Sequence, residues 1–207
     1  MKNLKVALIC FPLLLLSSCV PILSLHQWYT DTDLVLEPGL AGEWYSVNDD
    51  GKVDTSTTLT IVQNLPQGYT LSVNDDAHPD VRQTYAVHLF RLKGHLFVDA
   101  NQAATYYKTD VTDDGGMMIP GHMAGKIAIE SDNIHAEFVE DDWIKNALKS
   151  DPGLIRNERV SDNIYLTASE DELQQFLLNS PANEKAFAFK LKLRRTSASA
   201  TPAPAKP

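Results

Sequence analysis

The amino-acid sequence predicts a mainly β fold: an antiparallel meander closed into a barrel or bent into a strongly curved sheet, with two helices late in the chain. Three observations carry that prediction. Hydrophobic residues recur mostly with period two, the spacing of half-buried strands. The turn signals Asp50-Gly51, Pro66-Gln67-Gly68, Lys93-Gly94 and Asp132-Asn133 punctuate the alternation at the intervals of a meander. Two late stretches switch to helical periodicity and carry helix-terminus signals. With 207 residues, 43% of them hydrophobic, the chain has material for one globular domain and too little for a tandem enzyme.

In chain order, residues 1–18 read as a signal peptide. Met1-Lys2-Asn3-Leu4-Lys5 is a short basic start, and residues 6–16 are apolar apart from the interruption at Pro12, a run too short for a permanent membrane helix. The run ends in Leu16-Ser17-Ser18-Cys19, which resembles the bacterial lipoprotein signal: an aliphatic residue, two small residues, then the cysteine that is lipidated and becomes the mature N-terminus. The resemblance implies palmitate-type acyl chains on Cys19 and attachment to a bacterial cell membrane, the outer one in a Gram-negative host because Val20 rather than Asp follows. The alternative is an ordinary secretory signal in which Cys19 is incidental. Cys10 lies in the discarded segment, so the body has no internal disulfide and no thiolate zinc site. Residues 19–27 are expected to form a lipidated tether whose eight residues after Cys19 reach at most roughly 28 Å.

The folded body is expected over residues 28–195. An arm runs from Trp28-Tyr29-Thr30-Asp31-Thr32-Asp33 into Leu34-Val35-Leu36 and stops at Pro38-Gly39. Strands follow near 42–48, 57–63, 68–74, 84–92, 95–100, 122–130 and 133–139. Residues 140–149 start with acids, end with Lys145 and Lys149, and carry Trp143, Ile144, Ala147 and Leu148 on one face, as an amphipathic helix should. A short strand near 163–167 precedes a second helix over 169–179. There Thr167 with Glu170 and Ser169 with Glu172 form overlapping capping boxes, and Leu173, Phe176 and Leu177 share a face. Phe187, Phe189, Leu191 and Leu193 alternate with Ala188, Lys190, Lys192 and Arg194 in a last strand. The helices are expected to plug or cover one side of the sheet. The tail at 196–207, rich in Ala and Pro, has almost nothing to bury and is expected to be disordered. No internal repeat is present.

Charge narrows the function. Loss of Lys2 and Lys5 with the signal leaves 16 basic against 27 acidic side chains, which argues against nucleic acid as a partner and for attachment through acyl chains rather than a basic patch. No Gly-x-Ser-x-Gly elbow, phosphate loop or dinucleotide fingerprint occurs, and no cofactor is implied. The most informative run is 86–99. A two-residue turn at Lys93-Gly94 places Leu92 opposite His95, Phe90 opposite Phe97 and His88 opposite Asp99 on one face, with Val87, Leu89, Val98 and Ala100 on the other. Both faces are then apolar and the hairpin is central. His88 with Asp99 could orient an imidazole for general-base work; a buried polar pair that satisfies itself is the competing reading. His122 joins these as a weak catalytic candidate. A metal site built from His88, His95, His122 and His135 has no supporting spacing, and separate structural roles are favoured. Residues 110–115 begin like a calcium loop, but Gly121 stands where the closing acid belongs, so a solvated turn is favoured.

Gly42-Glu43-Trp44, preceded by Leu40 and placed before a meander, resembles the lipocalin and wider calycin signature. The resemblance implies a barrel with the tryptophan closing its floor, although an irregular stretch of about twenty residues and a helix interrupt the lipocalin pattern. Trp44, Tyr69, Phe90 and Phe97 are the candidate ligand-contacting side chains. Four stretches together resemble a group of small bacterial lipoproteins with no assigned activity: 28–35 leading into 42–44; His88-Leu89-Phe90-Arg91-Leu92 with Phe97-Val98-Asp99; Pro120-Gly121-His122; and residues 166–169 through 173–177. The functional expectation is therefore a membrane-anchored binding or interaction module for a small apolar ligand or an envelope partner. The alternatives are an envelope hydrolase, possibly metal-dependent, using His88, Asp99 and His122, and a structural lipoprotein.

Overall fold

A computed structural model describes residues 21–107, 121–161, 163–179 and 184–196. The signal peptide with Cys19, the 110–115 loop and the tail beyond Thr196 lie outside the described residues. Seven consecutive antiparallel strands form the meander: β3 (Gly42–Val47), β4 (Val53–Leu65), β5 (Gly68–Asp75), β6 (Val81–Leu92), β7 (His95–Tyr107), β8 (His122–Ile129) and β9 (Asn133–Phe138). The last strand, β12 (Phe189–Arg195), pairs with β9 on one side and β3 on the other. Eight antiparallel strands thus close into a calycin-like barrel without a free edge. Two interruptions were expected: of the irregular stretch after residue 100, residues 101–107 continue β7 and 108–120 lie outside the described residues, while the helical insertion lies between β9 and β12, where β12 returns to complete the ring.

Local chemistry accounts for the turns. Lys93 and Gly94 both have positive φ, 46° and 87°, the geometry of the tight turn that matches strand twist, and the register set there runs Leu92 to His95, Phe90 to Phe97 and His88 to Asp99. Gly42 has φ 142°, a backbone conformation that side chains rarely adopt, where the arm turns into the barrel wall. α1 (Asp141–Ser150) has Asp141 and Asp142 in its first turn and Lys149 in its last, and it buries Ile144 and Leu148. α2 (Glu170–Asn179) buries Leu173, Phe176 and Leu177. Ser169 precedes it, with its N–H 2.8 Å and its hydroxyl 2.9 Å from Glu172 Oε2, half of the anticipated capping box.

Two cores divide the work. Inside the barrel, Leu40, Trp44, Leu59, Tyr69, Leu89 and Ile134 pack with their neighbours around the axis. On the outer face of β6, β7 and β8, Phe90, Leu92, Phe97 and Ala124 pack against the arm and both helices. The helices therefore cover a wall of the barrel. A β-layer continues beyond it: β1 (Leu23–Ser24) pairs with β8 at Ser24 and His122 and runs parallel to β11 (Asn163–Leu166), which carries β10 (Asn157–Val160) on its other side.

The arm begins earlier than the sequence indicated. Residues 21–27, expected as tether, belong to the fold. Pro21 forms a β-bridge with Glu140, Ile22 is 1% exposed with its N–H bonded to the Val139 carbonyl at 2.9 Å, and Leu23–Ser24 is strand. The physical reason is the sheet edge offered by β8 and β11, which satisfies the backbone of this short apolar stretch. Further along, β2 (Leu34–Val35) pairs with β6, and Glu37 accepts from Arg91 at 2.8 Å.

Candidate functional site

Three residues singled out by the sequence meet on the outer wall under the arm. Asp99 is fully buried. Its Oδ2 accepts the Trp28 backbone N–H at 3.0 Å, and its Oδ1 lies 2.9 Å from Nδ1 of His122. The sequence paired Asp99 with His88 across the β6–β7 hairpin. That register is the one observed, yet the imidazole bonded to the carboxylate is that of His122, one strand over, where β8 places it beside Asn101. His88 instead packs its ring against Tyr29, with centroids 4.9 Å apart. It also lies so close to Gly68 that a Cβ there would sit 2.7 Å from the ring, so this approach needs a glycine.

Burial sets the electrostatics of this cluster. Desolvation holds the His88 pKa below its usual value, against the opposing pull of the Asp99 charge. Burial, reinforced by the Asp99 carboxylate, pushes the Tyr29 phenol up to about 12. Trp28 Nε1 donates to the His122 carbonyl at 3.3 Å. Both Asp99 oxygens thus serve to fasten the arm and orient His122. A carboxylate that orients an imidazole is half of a general-base device, but a substrate must also reach the other ring nitrogen. His95 and His135 stand apart and exposed on β7 and β9. Among the described residues, no group of three or more His, Cys, Asp or Glu side chains could hold a metal ion.

Of the candidate ligand contacts, Trp44 and Tyr69 lie in the packed interior with no exposure. Trp44 Nε1 donates to the Leu40 carbonyl at 3.1 Å while the Arg195 guanidinium sits 4.1 Å above its ring. Tyr69 Oη donates to the Glu37 carbonyl at 3.0 Å and accepts its N–H at 2.8 Å. Phe90 stacks on Phe97 beneath the helices, 5.5 Å between centroids. Phe97 borders a cleft outside the barrel.

The interior opens instead at one mouth of the barrel. A cavity of about 370 Å³ is lined by Thr57, Val73, Asp75, His78, Val81 and Gln83. Thr57 and Asp75 face each other, as do Val73 and Gln83. Thr57, Asp75 and Gln83 stand two residues beyond the interior positions Leu59, Val73 and Tyr85 on their strands, hence on the same inward face as Val73. The floor below is solid, closed by Leu59, Leu89, Trp44 and Tyr69. At the rim, His78 Nδ1 lies 3.0 Å from Asp75, and the Ala77 N–H donates to the same carboxylate at 2.9 Å. These bonds hold the Asp75 carboxyl below its ordinary value, with the His78 contact the largest influence. Tyr85 donates to Gln83 Oε1 at 3.1 Å, and burial raises the pKa of its phenol. The mouth combines two valines with an ionised carboxylate, an imidazole and an amide, and no lysine or arginine lines it among the described residues. Alternation alone marked these strands but not their open end.

Compared with known proteins, the chain matches no family model, no curated protein and no solved structure.

Proposed function

We propose that the protein is a membrane-anchored envelope lipoprotein that binds a small ligand at the open mouth of its barrel. The observation that carries this reading is the cavity of about 370 Å³ over a filled floor, within the size range of small-molecule sites and made by inward-facing side chains of three adjacent strands. Its valines offer apolar walls. Asp75, His78 and Gln83 ask for a hydrogen-bond donor or a positive charge on the ligand, and no cation stands in the lining among the described residues. The enzyme alternative has less support, because Asp99 and His122 are committed to holding the arm.

The anchor rests on Leu16-Ser17-Ser18-Cys19, and the fold gives it a mechanical consequence. Only one residue separates Cys19 from Pro21, so a lipidated cysteine keeps Pro21 within about 7 Å of its attachment point and holds the body against the bilayer. Among the described residues, no helix is long and apolar enough to cross a membrane.

Native mass spectrometry of the protein released from its own membrane tests the binding reading. The expected result is a retained small molecule on the wild type and its loss in Val73→Trp, which fills the mouth. A wild-type spectrum without added mass, or an adduct that survives the substitution, contradicts it.

A further inference from the structure

A second cavity lies on the outside of the barrel, away from the mouth. It measures about 240 Å³ and is bounded by Lys93 and His95 at the β6–β7 turn, Phe97 on β7, Lys126 on β8, and Leu177 and Leu178 near the end of α2. The floor is apolar, with Phe97 2% exposed and Leu177 fully buried. The rim is basic. In a chain of net charge −9, Lys93 and Lys126 converging on one apolar cleft with no acid in its lining among the described residues is a marked local reversal of sign.

Lys126 is the central group. It stands opposite Phe97 on one neighbouring strand and Glu137 on the other. Glu137, the nearest acid by register, is engaged by Lys190 at 3.5 Å. Lys126 is half-buried with Nζ 4.2 Å from the centroid of the Phe187 ring, and among the described residues it forms no ion pair. A partly desolvated ammonium held over an aromatic face attracts an anion more strongly than one in water. Lys93, exposed at the turn, adds positive potential at the entrance.

We propose that this cleft binds a medium-chain carboxylate, with the anionic head on Lys126 and Lys93 and the alkyl chain along Phe97, Leu177 and Leu178. Charge complementarity chooses the head, and the apolar floor chooses the tail. At roughly 30 Å³ per small heavy atom, the volume holds about eight non-hydrogen atoms, the size of hexanoate, with octanoate projecting slightly. The site is independent of the barrel mouth, whose lining is acidic and would reject the same ligand.

The test is photo-crosslinking on native membranes carrying the full chain, with a diazirine-bearing octanoate as the probe and the matching diazirine octanol as the uncharged comparison. Labelled peptides are mapped by mass spectrometry. The expected result is octanoate labelling concentrated in the peptides holding Phe97 and Leu177-Leu178. It should exceed octanol labelling at least fivefold, fall at least fivefold in Lys126→Met, and be largely kept in Lys126→Arg. Lys93→Asn, which tolerates the positive φ of that turn position, should weaken labelling without touching the barrel wall. Equal labelling by octanol overturns the proposal in favour of simple partitioning from the bilayer. Absence of label at these peptides, or labelling unchanged in Lys126→Met and Lys93→Asn, also overturns it.

Discussion

Asp99 shows how a residue can be legible in position and misread in partnership. The Lys93-Gly94 turn sets the β6–β7 register, so His88 was placed opposite Asp99 from sequence alone. The contact to His122 depends on a third strand that joins after a long connection, and no local spacing encodes it. Removing the carboxylate in Asp99→Ala leaves the Trp28 N–H and the His122 ring without their buried acceptor, so the fold should lose about 1–3 kcal/mol, read as a lower denaturant midpoint. An unchanged midpoint would mean the arm is held by packing alone. His88 supplies a pH test. Its folded pKa is depressed by burial, so the neutral ring's contribution is complete above the unfolded value of about 6.5 and is lost as pH falls through the lower folded value. Stability should therefore decline on acidification through that window, and His88→Gln should flatten the decline in paired urea melts. Trp44 was legible for a different reason: Gly42-Glu43-Trp44 before a meander resembles the calycin signature, which implies a tryptophan at the barrel floor. With its ring fully buried, Trp44→Ala should cost about 3–5 kcal/mol. A small midpoint shift in the same melts would remove Trp44 from the floor.

Among the elements, the long strands and both helices could be read from periodicity because each buries one face continuously. β1, β2 and β10 could not. β1 and β2 contain two residues each, too few for a period to register, and β10 is largely exposed with no buried face to alternate; each is strand only because an existing edge meets it. The same limit hid the cavity at the mouth, since alternation tells inward from outward but not floor from rim. Docking of the arm is the element-scale claim. Ile22 buried beside Val139, Trp28 against Phe176 and the Thr30–Asp33 turn tied to Gln174 fasten it along its length. Asp33 shows the strength of the last tie, since burial alone would raise its pKa and the Thr30 and Gln174 bonds outweigh it. Limited proteolysis should therefore spare residues 21–36 in the wild type. Ile22→Asp, which forces a charge into the apolar layer, should open that segment to cleavage while the barrel stays intact. Cleavage of the wild-type arm at the same rate would show that it is not docked.

At the scale of the molecule, closure, anchor and cavity form one arrangement. Eight paired strands leave the barrel no edge, the covered wall carries the arm, and the arm brings Pro21 next to the proposed lipidation motif. Cys19→Ser should leave the precursor unprocessed by the lipoprotein peptidase and move the protein out of the lipid-anchored detergent fraction; normal maturation and partitioning of the variant would remove the anchor from this account. The central claim, that the barrel works through its mouth, is tested most directly by amide hydrogen exchange on the protein as isolated from its membrane, compared with the same protein after unfolding, removal of small molecules and refolding. The account predicts faster exchange in the stripped protein confined to the rim, where Thr57, Val73, Asp75 and Val81 sit, with the floor around Trp44 unchanged. Identical exchange at the rim, or a change centred on His88, Asp99 and His122, would contradict it.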